Sequence, residues 1–164
     1  MKKYFLFLFV AVTFLSGCTS NAKVLINDPQ AYDSYIENLL KRLEKTEKDL
    51  GSSYATGLSS SIESTYQNSL SQVKTLKKSI DSLDAFKGDP GLQAAASKYL
   101  GFFQAVYEKE YREIVDIMKK PGITELEKKR FEEIYNTIDN NKNELKTELM
   151  DERLKFYEKY LGKK

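Results

Sequence analysis

Histidine and tryptophan are absent from the 164 residues, cysteine occurs once, and proline only three times. Without histidine there is no Ser-His-Asp triad, no Cys-His pair and no imidazole ligand for a metal. With one cysteine there is no internal disulfide, so a fold must rest on its core. No apolar run reaches the ~20 residues needed to span a bilayer. The Gly51 to Gly57 stretch lacks the Lys-Ser/Thr ending of a phosphate loop, and no D-x-[DN]-x-[DN]-G run marks a calcium loop. Charge of either sign shows no excess: 26 basic residues stand against 24 acidic ones. The absence of a basic patch removes the electrostatic basis for binding nucleic acid. Sustained alternation rich in Val, Ile or Thr is missing too, which excludes a strand-based fold.

The single cysteine is the most informative residue present. Met1-Lys2-Lys3 is followed by the apolar stretch Tyr4 to Phe14, then by Leu15-Ser16-Gly17-Cys18. A basic start, a short apolar segment and small residues before a cut form an export signal. Leu15-Ser16-Gly17-Cys18 resembles the lipobox of bacterial lipoproteins. That resemblance implies a diacylglyceryl group on the Cys18 thiol, acyl chains such as palmitate, and cleavage just before Cys18. Residues 1–17 are therefore read as a signal peptide, residues 18–27 as a lipidated N-terminus and tether, and residues 28–164 as the domain. Loss of the signal would remove Lys2 and Lys3 and leave the two charge signs equal. Thr19, rather than Asp, follows the cysteine, which in that family implies outer-membrane sorting if the host is Gram-negative.

Lys, Glu and Leu dominate the second half, and charged residues make up 30% of the chain, a composition that favours helices. Asp28-Pro29 is a helix start, because Asp caps well and Pro tolerates the first position. Tyr32, Ile36, Leu39, Leu43 and Leu50 then share one face, and Gly51 is the expected stop. A second helix is expected from between Leu58 and Ser61, with Ile62, Tyr66, Val73, Leu76, Ile80 and Leu83 inward. Asp89-Pro90 opens a third, continuing through Tyr99, Val106, Ile114 and Ile117 to Lys120. Thr124-Glu125-Leu126-Glu127 is a capping box for a fourth. Its apolar positions run from Leu126 to Tyr160 and stay in phase across Asp139-Asn140-Asn141-Lys142-Asn143, which competes with helical hydrogen bonding. One long helix, with a kink there, is favoured over two shorter ones. The fold class is thus all-α, a four-helix antiparallel up-down-up-down bundle.

Carboxylates invite a di-metal reading. Glu110, Glu113, Glu132 and Glu133 sit on successive helices, with Glu110 nearest an inward position, but the histidines of such sites are missing. Surface ion pairs explain them more simply, and no metal, cofactor or enzymatic activity is expected. Tyr32, Tyr66, Tyr99 and Tyr160 fit the core faces. Tyr107 and Tyr111, four apart, share a face beside the core and form a candidate partner surface, since tyrosine is enriched at recognition sites. Tyr99, Phe102 and Phe103 are a candidate lining for an interhelical cavity.

Three short segments resemble a family of uncharacterised bacterial surface lipoproteins built on a helical bundle. They are Asp28-Pro29-Gln30-Ala31-Tyr32, Phe86-Lys87-Gly88-Asp89, and Tyr107-Glu108-Lys109-Glu110-Tyr111-Arg112-Glu113-Ile114. The resemblance implies a bundle and a cell-envelope location, with no established activity. The combined expectation is a membrane-attached, non-enzymatic binding or structural module with a protein partner. Carriage of a small apolar ligand or lipid is the alternative.

Overall fold

The computed structural model describes residues 23–162, so the signal segment and Cys18 lie outside the described residues. All regular structure described is helical: α1 (Pro29–Tyr54), α2 (Ser59–Asp81), α3 (Gly91–Glu108), α4 (Glu110–Met118) and α5 (Glu125–Tyr160). α2 lies between α1 and α3, and α3 also carries α4 and α5. α1 and α5 meet mainly through long side chains. Arg153 places two guanidinium nitrogens on Asp33 at 2.6 and 2.7 Å and a further bond on Glu37 at 2.7 Å.

Local chemistry sets the helix ends. The Asp28 carboxylate accepts the Ala31 N–H at 2.7 Å, and Pro29 opens α1. Thr124 and Glu127 form a reciprocal capping box at the head of α5. Gly51 does not end α1, as its sequence position suggests. The helix runs one more turn because Ser53 is buried, with its hydroxyl on the Leu50 carbonyl, and Tyr54 packs against the core. The chain reverses instead at Gly57, whose φ of +63° suits a residue without Cβ.

The third helix is interrupted. Lys109 has φ −125° and ψ −69°, outside helical values, and divides α3 from α4. α5, by contrast, passes through Asp139–Asn143 as one helix of 36 residues. Ile134 and Ile138 before that stretch and Leu149 and Phe156 after it are all buried, so packing on both sides overrides the weak local propensity. Its first apolar residue, Leu126, stays 77% exposed and is not part of the core.

The chain ahead of α1 is tied down. Val24 donates to the Ser82 carbonyl at 2.7 Å and accepts from the Asp84 N–H at 3.0 Å. Val24 and Ile26 are half-buried against the core. The described part of the segment expected as a free tether is therefore held on the domain.

Beneath that contact an aromatic cluster closes one end of the molecule. Phe86 lies 5.1 Å from Tyr32, 5.2 Å from Phe156 and 4.9 Å from Tyr160, centroid to centroid. The Tyr32 hydroxyl donates to the Asp84 carbonyl at 3.0 Å. Burial pushes the Tyr32 phenol up to about 12, so it is a neutral donor at ordinary pH. Phe86 is 1% exposed and joins two helix ends, the start of α1 and the end of α5, through these rings. Phe86→Ala should cost about 3–5 kcal/mol, read as a lowered denaturant midpoint. A change below about 1 kcal/mol would mean the end collapses to fill the space.

Candidate functional site

The two tyrosines expected at the surface are inside. Tyr107 is 0% exposed and Tyr111 5%, with their rings edge to face at 4.7 Å. This overturns their assignment as a partner surface. The reason lies in the position of α3. Flanked by α2, α4 and α5, it buries a wide stripe that includes Ala95 with Ala96, Tyr99 with Leu100, Phe103, and Val106 with Tyr107. Tyr111 continues that stripe into α4.

Glu47 of α1 lies beside these rings. Sequence reading passed over it, yet it falls four residues after Leu43 and three before Leu50, squarely on the buried face. The gap between those two leucines was the available signal. The adjacent Thr46 is 2% exposed, and its hydroxyl donates to the Arg42 carbonyl at 2.8 Å and to Gln72 at 3.1 Å. Both Glu47 carboxylate oxygens accept from Lys142 Nζ at 3.1 Å, and the Tyr111 hydroxyl donates to one of them at 3.4 Å. Lys142 comes from the polar stretch of α5. The residues that weaken that helix locally thus supply the counter-charge for a half-buried carboxylate.

Electrostatics follow from burial. Desolvation raises the Glu47 carboxyl above the ordinary glutamate range, and the Lys142 ammonium draws it back only in part. Burial likewise raises the phenols of Tyr54, Tyr66, Tyr99, Tyr107, Tyr111 and Tyr135. The negative charge of Glu47 adds to the effect at Tyr99, Tyr107, Tyr111 and Tyr135. The phenols are therefore neutral, which suits hydrogen bonding and not nucleophilic chemistry. Tyr66 donates to the Tyr107 carbonyl at 2.8 Å. Among the described residues the buried hydroxyls of Tyr54 and Tyr107 find no hydrogen-bond partner, although the Ser69 hydroxyl lies beside Tyr107. Such a layer can fix the register of α1 against α4 and α5. It offers no proton donor and acceptor poised about a reacting atom.

The remaining groups weighed in the sequence do not converge on a site. Glu110 pairs with Lys109 at 3.7 Å, Glu113 takes two bonds from Arg130 at 2.7 and 3.0 Å, and Glu132 and Glu133 are exposed. No group of three metal-ligating side chains occurs among the described residues. Phe103 is fully buried and packs edge-on against Tyr99 at 5.1 Å and Phe102 at 5.3 Å, so these three fill space together and do not line a common void. Tyr99 does border a groove of about 220 Å³ between α1 and α5, with Leu40, Leu149 and Met150. That volume falls short of the ~300–1,000 Å³ typical of small-molecule sites.

Two measurements check this account. Tyr66→Phe, which strands the Tyr107 carbonyl, should destabilise by about 1–3 kcal/mol, whereas Tyr107→Phe removes a partnerless hydroxyl and should be neutral or stabilising. The second concerns pH. Because the Glu47 pKa is raised in the fold, its stabilising contribution is full below the ordinary value of 4.5 and is lost as pH rises through the folded pKa. The stability of the native protein relative to Glu47→Gln should therefore fall as pH is raised from acid through that range; a rise would contradict the burial argument.

No protein-family model matches the chain, and neither does any curated protein or solved structure, so its role has to follow from its own residues and geometry.

Proposed function

We propose that the chain is a bacterial lipoprotein whose Cys18 carries the membrane anchor and whose helical domain is a non-enzymatic binding or structural module at the cell envelope. The observation that carries this reading is the run from Met1 to Cys18: two lysines, eleven apolar or small residues, then Leu-Ser-Gly-Cys. No described helix is long and apolar enough to cross a membrane, so a lipid is the attachment the sequence provides for. Two or more acyl chains hold a protein stably where one does not.

The domain is read as an up-down-up-down bundle in which α3 and α4 together make the third rod. Cross-helix pairs support that arrangement, because residue numbers rise along one helix as they fall along its neighbour. Asp81 meets Ser97 and Glu63 meets Arg112 between α2 and the third rod. Lys98 meets Glu148 and Glu113 meets Arg130 between that rod and α5. A structural or binding role fits a molecule whose half-buried carboxylate at Glu47 is already paired and whose core phenols are neutral. A protein partner would meet exposed helical faces, since Tyr107 and Tyr111 are not available to it. Thr19 after the cysteine favours the outer membrane in a Gram-negative host.

Metabolic labelling with a clickable fatty acid tests the anchor. The native protein should take up label and sediment with membranes, and Cys18→Ala should do neither while retaining its first seventeen residues. Equal labelling of the two proteins would end the lipoprotein reading.

A further inference from the structure

The fastening of Val24 has a geometric consequence that rests on the anchor reading and goes beyond it. Its two backbone bonds, to Ser82 and Asp84, fix the start of the described chain at one particular end of the molecule. The same end carries the N-terminus of α1, the α2–α3 connection with its Phe86–Asp89 turn, and the C-terminus of α5, where Lys159 and Tyr160 reach Asp89. Only four residues, five steps of the chain, separate Cys18 from Lys23. At ~3.3–3.6 Å per residue they reach at most about 18 Å, and the headgroup layer takes up about 5–8 Å of that. An acylated Cys18 would therefore keep this end beside the bilayer and leave the opposite end far from it.

Exposed apolar side chains occur at both ends of the molecule, Leu58 and Leu126 at the far one, and three of them lie at this end. Leu25, next to the fastened Val24, is 66% exposed. On α5, Leu154 is 59% and Tyr157 49% exposed, three apart on one face of the last turns. Lys87 stands exposed at the tip of the Phe86–Asp89 turn with φ +49°, a left-handed conformation that disfavours a lysine. Its charge reaches no carboxylate among the described contacts and lies 5.3 Å from the Phe86 ring centroid. A tyrosine with two leucines and an exposed lysine suits a surface that sits in the headgroup region, the ring at the interface and the ammonium among phosphates.

We propose that this end docks on the anionic lipid surface to which Cys18 is tethered, with Leu25, Leu154 and Tyr157 entering the headgroup layer and Lys87 meeting lipid phosphates. The domain then stands on the membrane with α5 rising away from it. Leu126 lies 31 residues before Tyr157, about 46 Å along the same helix at 1.5 Å per residue.

The absence of native tryptophan makes the test direct. The full chain, acylated in a bacterial host, is reconstituted into phosphatidylethanolamine–phosphatidylglycerol vesicles with brominated acyl chains. Tyr157→Trp and Leu126→Trp, both at exposed positions, serve as reporters, and helical circular dichroism checks that each retains the fold. The Tyr157→Trp indole should lose roughly half its emission, as expected for a ring at the acyl boundary, and the Leu126→Trp indole should be unchanged. If both variants float with the vesicles and neither is quenched, docking is refuted while the anchor stands. Quenching at Leu126→Trp equal to or greater than that at Tyr157→Trp refutes the orientation. If acylated protein does not float, the anchor reading fails and docking fails with it.

Discussion

The grip of Arg153 on Asp33 and Glu37 is the contact on which the closure of the bundle depends. α1 and α5 are the first and last helices, and a groove of about 220 Å³ runs between them. Asp33 is nearly buried, so its carboxylate must be satisfied by a partner that brings several donors at once. A guanidinium does so in a planar fork that a lysine cannot reproduce. Ten residues beyond Glu37, nearly three turns further along α1, Glu47 and Lys142 repeat the arrangement with a point charge. The apolar core supplies most of the favourable free energy, but it is tolerant of sliding. These two pairs, each desolvated on one side, set which turn of α5 faces which turn of α1.

The buried tyrosines complete that specification. Phenols at Tyr66, Tyr107 and Tyr111 place hydroxyl groups where leucine would place methyls, and each hydroxyl has a narrow choice of positions. Tyr66 finds the Tyr107 carbonyl at the end of α3, close to the interruption at Lys109. The two unmatched hydroxyls of Tyr54 and Tyr107 show that the layer is not optimised for stability alone. Its phenols are neutral and its carboxylate is paired, and Glu110, Glu113 and Glu133 on the surface each lie beside a neighbouring cation.

Much of the fold was legible in the chain. Asp28-Pro29 and the Thr124–Glu127 box announce two helix starts because they satisfy particular backbone donors. The faces Ile62 to Leu83 and Ile134 to Phe156 are buried as their spacing implies. What could not be read depends on neighbours. Gly51 looks like a stop until Ser53 and Tyr54 are seen to be held by the core. The break at Lys109 carries no glycine or proline. Tyr107 and Tyr111 are amphipathic residues beside a stripe, and only the number of helices packed around α3 turns a flank into an interior. Glu47 was hidden by the presumption that a charge in an amphipathic helix faces water. The seven-residue gap between Leu43 and Leu50 was the trace it left.

The two backbone bonds at Val24 also determine how the domain would respond to tension. A pull arriving through the N-terminal segment does not first reach α1. It loads the short pairing with Ser82 and Asp84, a pair of bonds with no extended sheet behind them, before any helix feels the force. The pairing is thus a mechanical fuse: parting it lengthens the leash by the few residues up to Asp28 and leaves the hydrophobic interior intact. A domain fastened this way can yield several ångströms to a pull on its N-terminal segment and then reseat, without passing through an unfolded state.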